Sequence, residues 1–315
     1  MAAEPVKVTF DNFVGLESAR MFAGIAAAAA GSNRWNHNHV PTSIDGQTVI
    51  RMNRDTLYSA AIIDVSQGAT ISIPDAGERY ISVMLVNESH HINKVLHAEG
   101  TYELSAQELG SDFVLAAARI LVDPEDPADV AAVNDLQRQL ALTSVGGGQF
   151  ALPAYDEASF AATSGAILEL AKGLDGLAGC FGSAQDVDPI RHLLGTALGW
   201  GGLPEQEAYY LNVTPGLPVG EYTLTVGEVP VDGFWSISLY NEDGYFSENA
   251  AGAYTINNIT GRRNDDATIT VRFGGDGSLP NTLPIMPGWN YMVRMYRPRP
   301  QVLDGTWTFP EIATP

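Results

Sequence analysis

Cysteine and lysine are scarce in this sequence, and long apolar runs are missing. Cys180 is the only cysteine, which excludes an intramolecular disulfide and leaves the redox compartment open. Only three of the 17 basic residues are lysines, so the chain lacks the flexible cations of a polybasic patch. The other basic residues are arginines, whose planar guanidinium groups are suited to binding carboxylates. The longest apolar run, Met21 to Ala30, is about half a membrane span.

The charge of the chain is strongly one-sided. Its 37 acidic and 17 basic residues give a formal net charge of −20, which argues against nucleic acid and anionic membranes as partners. With 45% hydrophobic and 17% charged residues among 315, the chain is expected to be soluble and globular and to form two domains. The amino terminus shows no targeting signal, so we expect a cytoplasmic protein, or an exported one whose signal has been removed.

The hydrophobic pattern predicts a mainly β protein with an α-helical middle segment. A helix is expected over residues 11–30, capped by Asn12, and another begins at Asp188-Pro189, because aspartate caps helices and proline suits the first helical position. Residues 267–273 alternate apolar with polar side chains, as in a strand with one buried face. Glycine runs at 146–148 and 199–202 are the linker candidates. The predicted segments are 1–45 (helix and lead-in), 46–123 (β-sandwich), 124–204 (helical) and 205–315 (β).

Two groups of motifs resemble a known family pair. The first comprises Asn53–Ser59, Asp64 and Ile73–Tyr80; the second comprises Gly233–Tyr240, Asn281–Pro284, Arg294–Tyr296, Gly305–Trp307 and Pro310. The chain resembles the paired domains of unknown function 1254 and 1214. This resemblance implies an immunoglobulin-like sandwich, a helical middle segment and a jelly-roll-like sandwich. It implies no settled activity.

The motif from Asn53 to Tyr58 is the first candidate site. It concentrates an amide, a guanidinium, a carboxylate and a phenol at a loop-to-strand junction. In an extended chain Asn53 and Asp55 face one way and Arg54 and Tyr58 the other. Asp55 is a candidate base; alternatively, it anchors the loop by accepting backbone hydrogen bonds, with Arg54 as its counter-ion.

Histidines form the second candidate. His90, His91 and His97 lie close together, as do His37 and His39. Clustered histidines with nearby carboxylates, here Glu88 and Glu99, suit a divalent metal or acid–base chemistry, although no strict ligand spacing occurs. On a straight strand His90 and His91 point to opposite faces, so one of them serves a site unless the backbone turns there. The alternative is that they are polar or capping residues, and His192 is predicted to pack in a core.

The last third of the chain offers possible walls for a binding site. Trp235 and Tyr240 fall on opposite faces of one predicted strand, and Arg294 shares a face with Tyr296 on another. An arginine beside a tyrosine suits a carboxylate-bearing ligand. Alternatively, Arg294 pairs with a structural Asp or Glu.

Nucleophile and cofactor motifs are weak. Ser59, Ser236 and Ser238 have no adjacent histidine and acid in the sequence, and Cys180 is predicted to be a small buried hydrophobe. No nucleotide or flavin motif occurs. The cofactor is therefore unknown, with a divalent metal as an option but no residues assigned as metal ligands.

The leading hypothesis is a small-molecule hydrolase or lyase with its site in a cleft between the two β domains. Its catalytic candidates are Asp55, Tyr58, His90 and His91, and its substrate-binding candidates are Asn53, Arg54, Trp235, Tyr240 and Arg294. The alternative is a non-catalytic protein that binds a small molecule or carbohydrate on exposed aromatic residues, with Trp200, Trp289 and Trp307 as candidates. A third hypothesis is an assembly subunit that forms a homo-oligomer through an apolar patch.

Overall fold

The computed structural model describes residues 4–47 and 50–313, so Thr48 and Val49 of the predicted β-rich segment lie outside the description. The helices are α1 Phe13–Ala28, α2 Ala106–Leu109, α3 Pro127–Gln139, α4 Glu157–Ala171, α5 Pro189–Gly199 and α6 Pro300–Leu303. The strands are β1 Asn36–His37, β2 Thr56–Asp64, β3 Ala69–Ile73, β4 Ile81–Asn87, β5 Ile92–Leu96, β6 Gly100–Leu104, β7 Phe113–Leu121, β8 Ala141–Ser144, β9 Ala208–Val213, β10 Tyr222–Val226, β11 Trp235–Tyr240, β12 Thr255–Asn257, β13 Ile269–Phe273, β14 Thr282–Leu283 and β15 Asn290–Tyr296. The predicted class, mainly β with a helical middle segment, is confirmed.

Contacts divide the chain into two compact units. The first comprises Met1–His39, Tyr58–Ile120 and Ala131–Glu205, and the second comprises Val40–Leu57, Leu121–Val130 and Gln206–Pro315. The segments predicted from the sequence divide the chain differently, because they assign residues 46–57 to the first sandwich. In the part of the chain that the structure describes, no helix is both long and apolar enough to cross a membrane.

The first unit contains two sheets and a group of packed helices. One sheet has the strand order β1-β2-β7-β4-β5 and the other β6-β3-β8. All seven residues of the interior strand β4 are buried, so the sheet is covered on both faces at that strand. Helices α1, α4 and α5 share an apolar cluster that includes Phe13, Ile167 and Leu194.

The ends of these helices test the predicted caps. Asp188 caps α5 as predicted, accepting hydrogen bonds from the backbone of Ile190 and Arg191, both at 2.9 Å. Asn12 occupies the N-cap position of α1, as predicted, but its side chain makes no capping hydrogen bond. The side-chain oxygen accepts a bond from Thr9 N at 2.9 Å instead, so it closes the turn that precedes the helix.

The glycine-rich stretches predicted as linkers lie within the first unit, and some of their glycines closely approach its side chains. Gly148 N donates to a carboxylate oxygen of Asp64 at 2.6 Å, and a Cβ at Gly146 would lie 2.4 Å from the same oxygen. A Cβ at Gly202 would lie 2.4 Å from the ring of Phe181. Glycine is therefore required at Gly146 and Gly202 for close approach, not for flexibility.

The second unit has two sheets on one core. The sheets have the orders β10-β13-β14 and β12-β11-β15-β9, and residues of both, such as Val271 and Ile237, line a shared apolar cluster. The alternation predicted for residues 267–273 is confirmed in β13, where Ile269, Val271 and Phe273 are buried. Two sheets that enclose one core form a sandwich-like arrangement.

Candidate active site

The predicted site residues fall into two separate groups. Asn53, Arg54, Asp55, Trp235, Tyr240 and Arg294 belong to the second unit, whereas Tyr58, His90 and His91 belong to the first. Each group is therefore described by itself. The predicted position of the site, in a cleft between two β domains, stays a prediction.

Arg294 and Tyr240 form the centre of a buried hydrogen-bond network. The Arg294 guanidinium donates to the hydroxyls of Ser238 and Tyr240, both at 2.8 Å, and to the backbone carbonyl of Arg51 at 2.8 Å. Burial works against its charge, but the hydroxyls of Tyr240 and Tyr296 are among the groups that raise the pKa of Arg294 above its ordinary value. Among the described residues, no Asp or Glu forms a salt bridge with Arg294. The guanidinium therefore fastens the chain near Arg51 to the sheet.

Asp55 is fully buried beside the second unit's sheet. One of its carboxylate oxygens accepts hydrogen bonds from Thr255 Oγ1 at 2.8 Å and from Asn257 Nδ2 at 3.1 Å, while the other has no partner among the described residues. The sequence-based alternative gave Asp55 backbone donors and Arg54 as counter-ion. The structure shows side-chain donors instead, and Arg54 pairs with Glu125 at 3.3 Å.

The other predicted binding residues are also engaged within the fold. Asn53 Nδ2 donates to the Tyr296 hydroxyl at 2.9 Å. Trp235 is 5% exposed and packs in the core of the second unit. Tyr58, in the first unit, lies beneath the guanidinium of Arg119, whose carbon is 5.5 Å from the ring centre.

His90 and His91 lie on a tight turn between β4 and β5 that Asn87 organises. The Asn87 side-chain oxygen accepts hydrogen bonds from the backbone of Ser89 at 3.0 Å and of His91 at 2.9 Å. His90 has a φ of 61°, so the backbone turns in the left-handed region and the two rings are not on opposite faces of a strand. The turn thus brings both histidines to one side.

His90 is locked inside the first unit. Its Nε2 accepts a hydrogen bond from Gly201 N at 2.9 Å, so the neutral ring carries its proton on Nδ1, which donates to Thr196 Oγ1 at 2.8 Å. Burial lowers the pKa of His90 to about 3, with smaller contributions from His192 and His91. A neutral ring with both nitrogens occupied cannot act as a base in this arrangement.

Four rings stack in a column that leads from His91 into the interior. The His192 ring lies between those of His91 and His90, at centre-to-centre distances of 4.9 Å and 5.4 Å, and Trp200 covers the far side of His90 at 5.1 Å. His192 is held by the carbonyls of Cys180 at 2.9 Å and Ser89 at 3.1 Å. Because carbonyls only accept, the neutral His192 ring donates to one of them, and a doubly protonated ring donates to both.

The outer end of this column opens into a cavity of about 920 Å³ within the first unit. Its polar wall includes Glu88, His91, Asp112 and His192, and its apolar wall includes Leu16 and Phe150. A large cavity with a few converging polar groups is the common form of a small-molecule site.

Glu88 and His91 have pKa values displaced in opposite directions in this cavity. Burial raises the pKa of the Glu88 carboxyl, and the neighbouring Asp112 raises it further, against a hydrogen bond from Phe113 N. Burial lowers the pKa of His91, and His192 lowers it further. Neither ring nitrogen of His91 hydrogen-bonds to the described residues. Both displacements shift the group toward its neutral form, which is the form that a general acid and a general base need in order to act.

Family models match two parts of the chain. The model described as protein of unknown function DUF1254 matches residues 32–101, and that described as protein of unknown function DUF1214 matches residues 215–300. The two matches correspond to the two members of the paired DUF1254–DUF1214 family. The resemblance stated from the motifs is thereby confirmed.

Two solved structures that are similar to this chain share its fold. The VPA0106 protein from Vibrio parahaemolyticus is 16% identical, with a TM-score of 0.72, over 96% of this chain and 97% of that one. An uncharacterised protein from Burkholderia cenocepacia is 15% identical, with a TM-score of 0.53, over 96% of this chain and 86% of that one. No curated protein matches the sequence.

The chain contains a serine–histidine pair that its sequence did not reveal. His37 Nδ1 lies 2.8 Å from Ser59 Oγ, because the two residues are direct partners in the pairing of β1 with β2. Ser59 is 2% exposed, and it does not line the cavity that His91 borders. The bond is therefore a cross-strand contact rather than an activated nucleophile.

Other candidates are also placed by the structure. His192 is buried, as predicted, but it also borders the cavity. Cys180 is a buried free thiol, as predicted. Within residues 4–47 and 50–313, no three His, Cys, Asp or Glu side chains are grouped so as to hold a metal ion. Trp200, Trp289 and Trp307 are at least partly buried, so they do not form the exposed aromatic surface expected of the binding hypothesis.

Proposed function

We propose that this protein is a small-molecule hydrolase or lyase that uses proton transfer in the cavity of the first unit. His91 is the general base and Glu88 the general acid. The observation that carries the proposal is that these two side chains line one cavity and have oppositely displaced pKa values. Such pairs are typical of acid–base sites.

The surrounding residues support the division of roles. Asn87 fixes the turn that carries both groups, and the His192 ring supports the inner face of His91. His91 takes a proton from water in a hydrolysis or from a substrate carbon in an elimination, and Glu88 protonates the leaving group. Leu16 and Phe150 hold the apolar part of the substrate.

The test is a turnover screen in water labelled with heavy oxygen, with esters, amides and hydroxy acids as substrates. Hydrolysis places one labelled oxygen in the product, whereas elimination places none. Glu88→Gln and His91→Gln are each expected to lower kcat/KM by roughly 10²- to 10⁴-fold. Glu99→Gln and His39→Gln are matched controls, since both side chains are exposed and neither lines the cavity.

The pH profile provides a second readout. Activity should rise as His91 loses its proton, below the ordinary imidazole value of 6.5, and fall as Glu88 ionises, above the ordinary carboxyl value of 4.5. The profile is therefore expected to be bell-shaped, and both displacements widen the pH range in which His91 is neutral and Glu88 is protonated. Full turnover in both cavity variants, or turnover in none of the three substrate classes, contradicts the proposal.

A further inference from the structure

The second unit contains a cavity of its own, which the proposed reaction does not use. Its volume is about 420 Å³, and it lies where β10 has ended and β11 and β13 begin. Six of its lining residues carry the argument: Gly227, Glu228, Trp235, Asn258, Arg263 and Asp266. We propose that this cavity binds a small uncharged cyclic polyol, such as a monosaccharide or disaccharide.

Asn258 supplies a hydrogen-bond acceptor that nothing in the fold uses. Its side-chain oxygen is buried and has no partner among the described residues. The adjacent Asn257 side-chain oxygen, by contrast, accepts bonds from Ile259 N at 3.0 Å and Thr260 N at 2.9 Å. Buried polar atoms are normally paired. A hydroxyl that enters the cavity can donate to Asn258 and complete its bonding.

Trp235 gives the cavity an aromatic wall with a polar edge. The ring is 5% exposed, it lines the cavity, and its indole nitrogen makes no hydrogen bond with the described residues. Val229 and Ile269 line the same cavity. An apolar wall with a free N–H suits a ring that presents C–H groups and hydroxyl oxygens together.

Charges of both signs surround this wall. Glu228 and Asp266 are carboxylates, and Arg263 donates one bond to Ala267 O at 3.0 Å, which leaves further guanidinium N–H groups for a ligand. An ion of either sign would meet a like charge in the same cavity, whereas neutral hydroxyls can bond to all three groups. The mixture therefore favours an uncharged polyol.

The experiment is a titration of the full chain with methyl α-glucoside, methyl β-galactoside and maltose, followed by ligand-observed NMR and calorimetry. Benzoate and benzylamine are the charged comparators. We expect at least one sugar to bind, and Asn258→Ala to weaken it about tenfold, because the buried acceptor is lost. A Cβ at Gly227 meets no atom within 4 Å, so Gly227→Leu is expected to fold and to abolish binding by filling the cavity.

Gln206→Ala is the matched control, since Gln206 is exposed and does not line the cavity; its affinity should equal that of the wild type. Circular dichroism confirms that each variant is folded. If Asn258→Ala is unfolded, Gly227→Leu alone decides the outcome. Three results overturn the proposal: no sugar binds, sugar binding is unchanged in the folded cavity variants, or a charged comparator binds more tightly than every sugar.

Discussion

Adjacent histidines can have opposite roles when one of them lies in the left-handed region. His90 turns into the interior, where Thr196 and Gly201 occupy both of its nitrogens, while His91 stays partly exposed at the cavity. The free nitrogens of His91 leave it available for a substrate, and the bonds of His90 make it a support. Of the two histidines, His91 alone is therefore proposed to take part in the reaction, together with Glu88.

His90 should make the protein sensitive to acid. Its pKa in the folded state is about 3, against an ordinary value of 6.5, so between these values the unfolded chain binds a proton that the folded chain does not. His90 therefore does not lower the free energy of unfolding above pH 6.5, and it lowers that free energy increasingly as the pH falls from 6.5 toward 3. The loss amounts to roughly 2 kcal/mol by about pH 5.

The variant His90→Asn tests this, because asparagine tolerates the left-handed backbone. Urea unfolding should show it about 2–4 kcal/mol less stable than the wild type at neutral pH, with the difference shrinking as the pH is lowered. His39→Asn, at an exposed position, should follow the wild type at every pH. A difference that stays constant with pH would show that His90 is not the acid-sensitive group.

Buried polar residues were the hardest to interpret from the sequence. Asp55, Tyr240 and Arg294 have the composition of a binding site, yet each is almost completely buried. Thr255, a hydrogen-bond partner of Asp55, lies 200 positions away in the chain. No local sequence pattern therefore distinguishes such a structural network from a ligand site. They are therefore left out of the proposed site.

At the scale of elements, helix α5 connects packing to the candidate site. It carries His192 and Thr196, and its Gly195 faces the loop at Cys180, where an added Cβ would lie 2.7 Å from the Cys180 Cβ. Gly195→Ala should therefore push the helix from this loop and lower the free energy of unfolding by about 1–3 kcal/mol. It should also weaken turnover, because His192 supports His91.

Gly165→Ala in helix α4 is the matched control for this prediction. Gly165 is an exposed helical position where a Cβ meets no atom within 4 Å, so alanine should stabilise the protein by about 0.5–1 kcal/mol through its helix propensity. Urea unfolding of the two variants measures both effects. Stabilisation by both substitutions would refute the close contact at Gly195.

Elements with strong local signals were predicted correctly. Asp188-Pro189 begins α5 and residues 269–273 form an alternating strand, since capping and period-two burial are local properties. Asn12 lies at the predicted N-cap position of α1, but its side chain bonds to the preceding turn, because asparagine can also close a turn. The cavity was not predictable, since Leu16, Glu88 and Phe150 meet only in the folded unit. The turn itself had a signal, in that Asn87 to His90 separates two apolar runs.

For the whole molecule, the motifs were sufficient for the family and the fold class, but not for the activity. The strands and the family motifs extend over most of the chain, and they follow sequence patterns that are known from other proteins. An active or binding site, by contrast, depends on a few side chains and on how deeply they are buried. The amino-acid composition does not reveal that burial. The sequence named His91 among its candidates and noted Glu88 as a nearby carboxylate. Their shared cavity emerged only from the structure.

The net charge of −20 should make the stability of the protein depend on salt. Excess negative charge destabilises a compact state by self-repulsion, and the screening length falls from about 30 Å at 0.01 M salt to about 8 Å at 0.15 M. Salt also weakens ion pairs, but pairs such as Arg299–Asp232 are half-exposed and worth about 0–1 kcal/mol each. Repulsion therefore dominates, and the melting temperature should rise by about 2 °C or more over this range. Calorimetry in sodium chloride and in choline chloride measures the shift; equal rises indicate screening, whereas a fall in both would show that ion pairs outweigh repulsion.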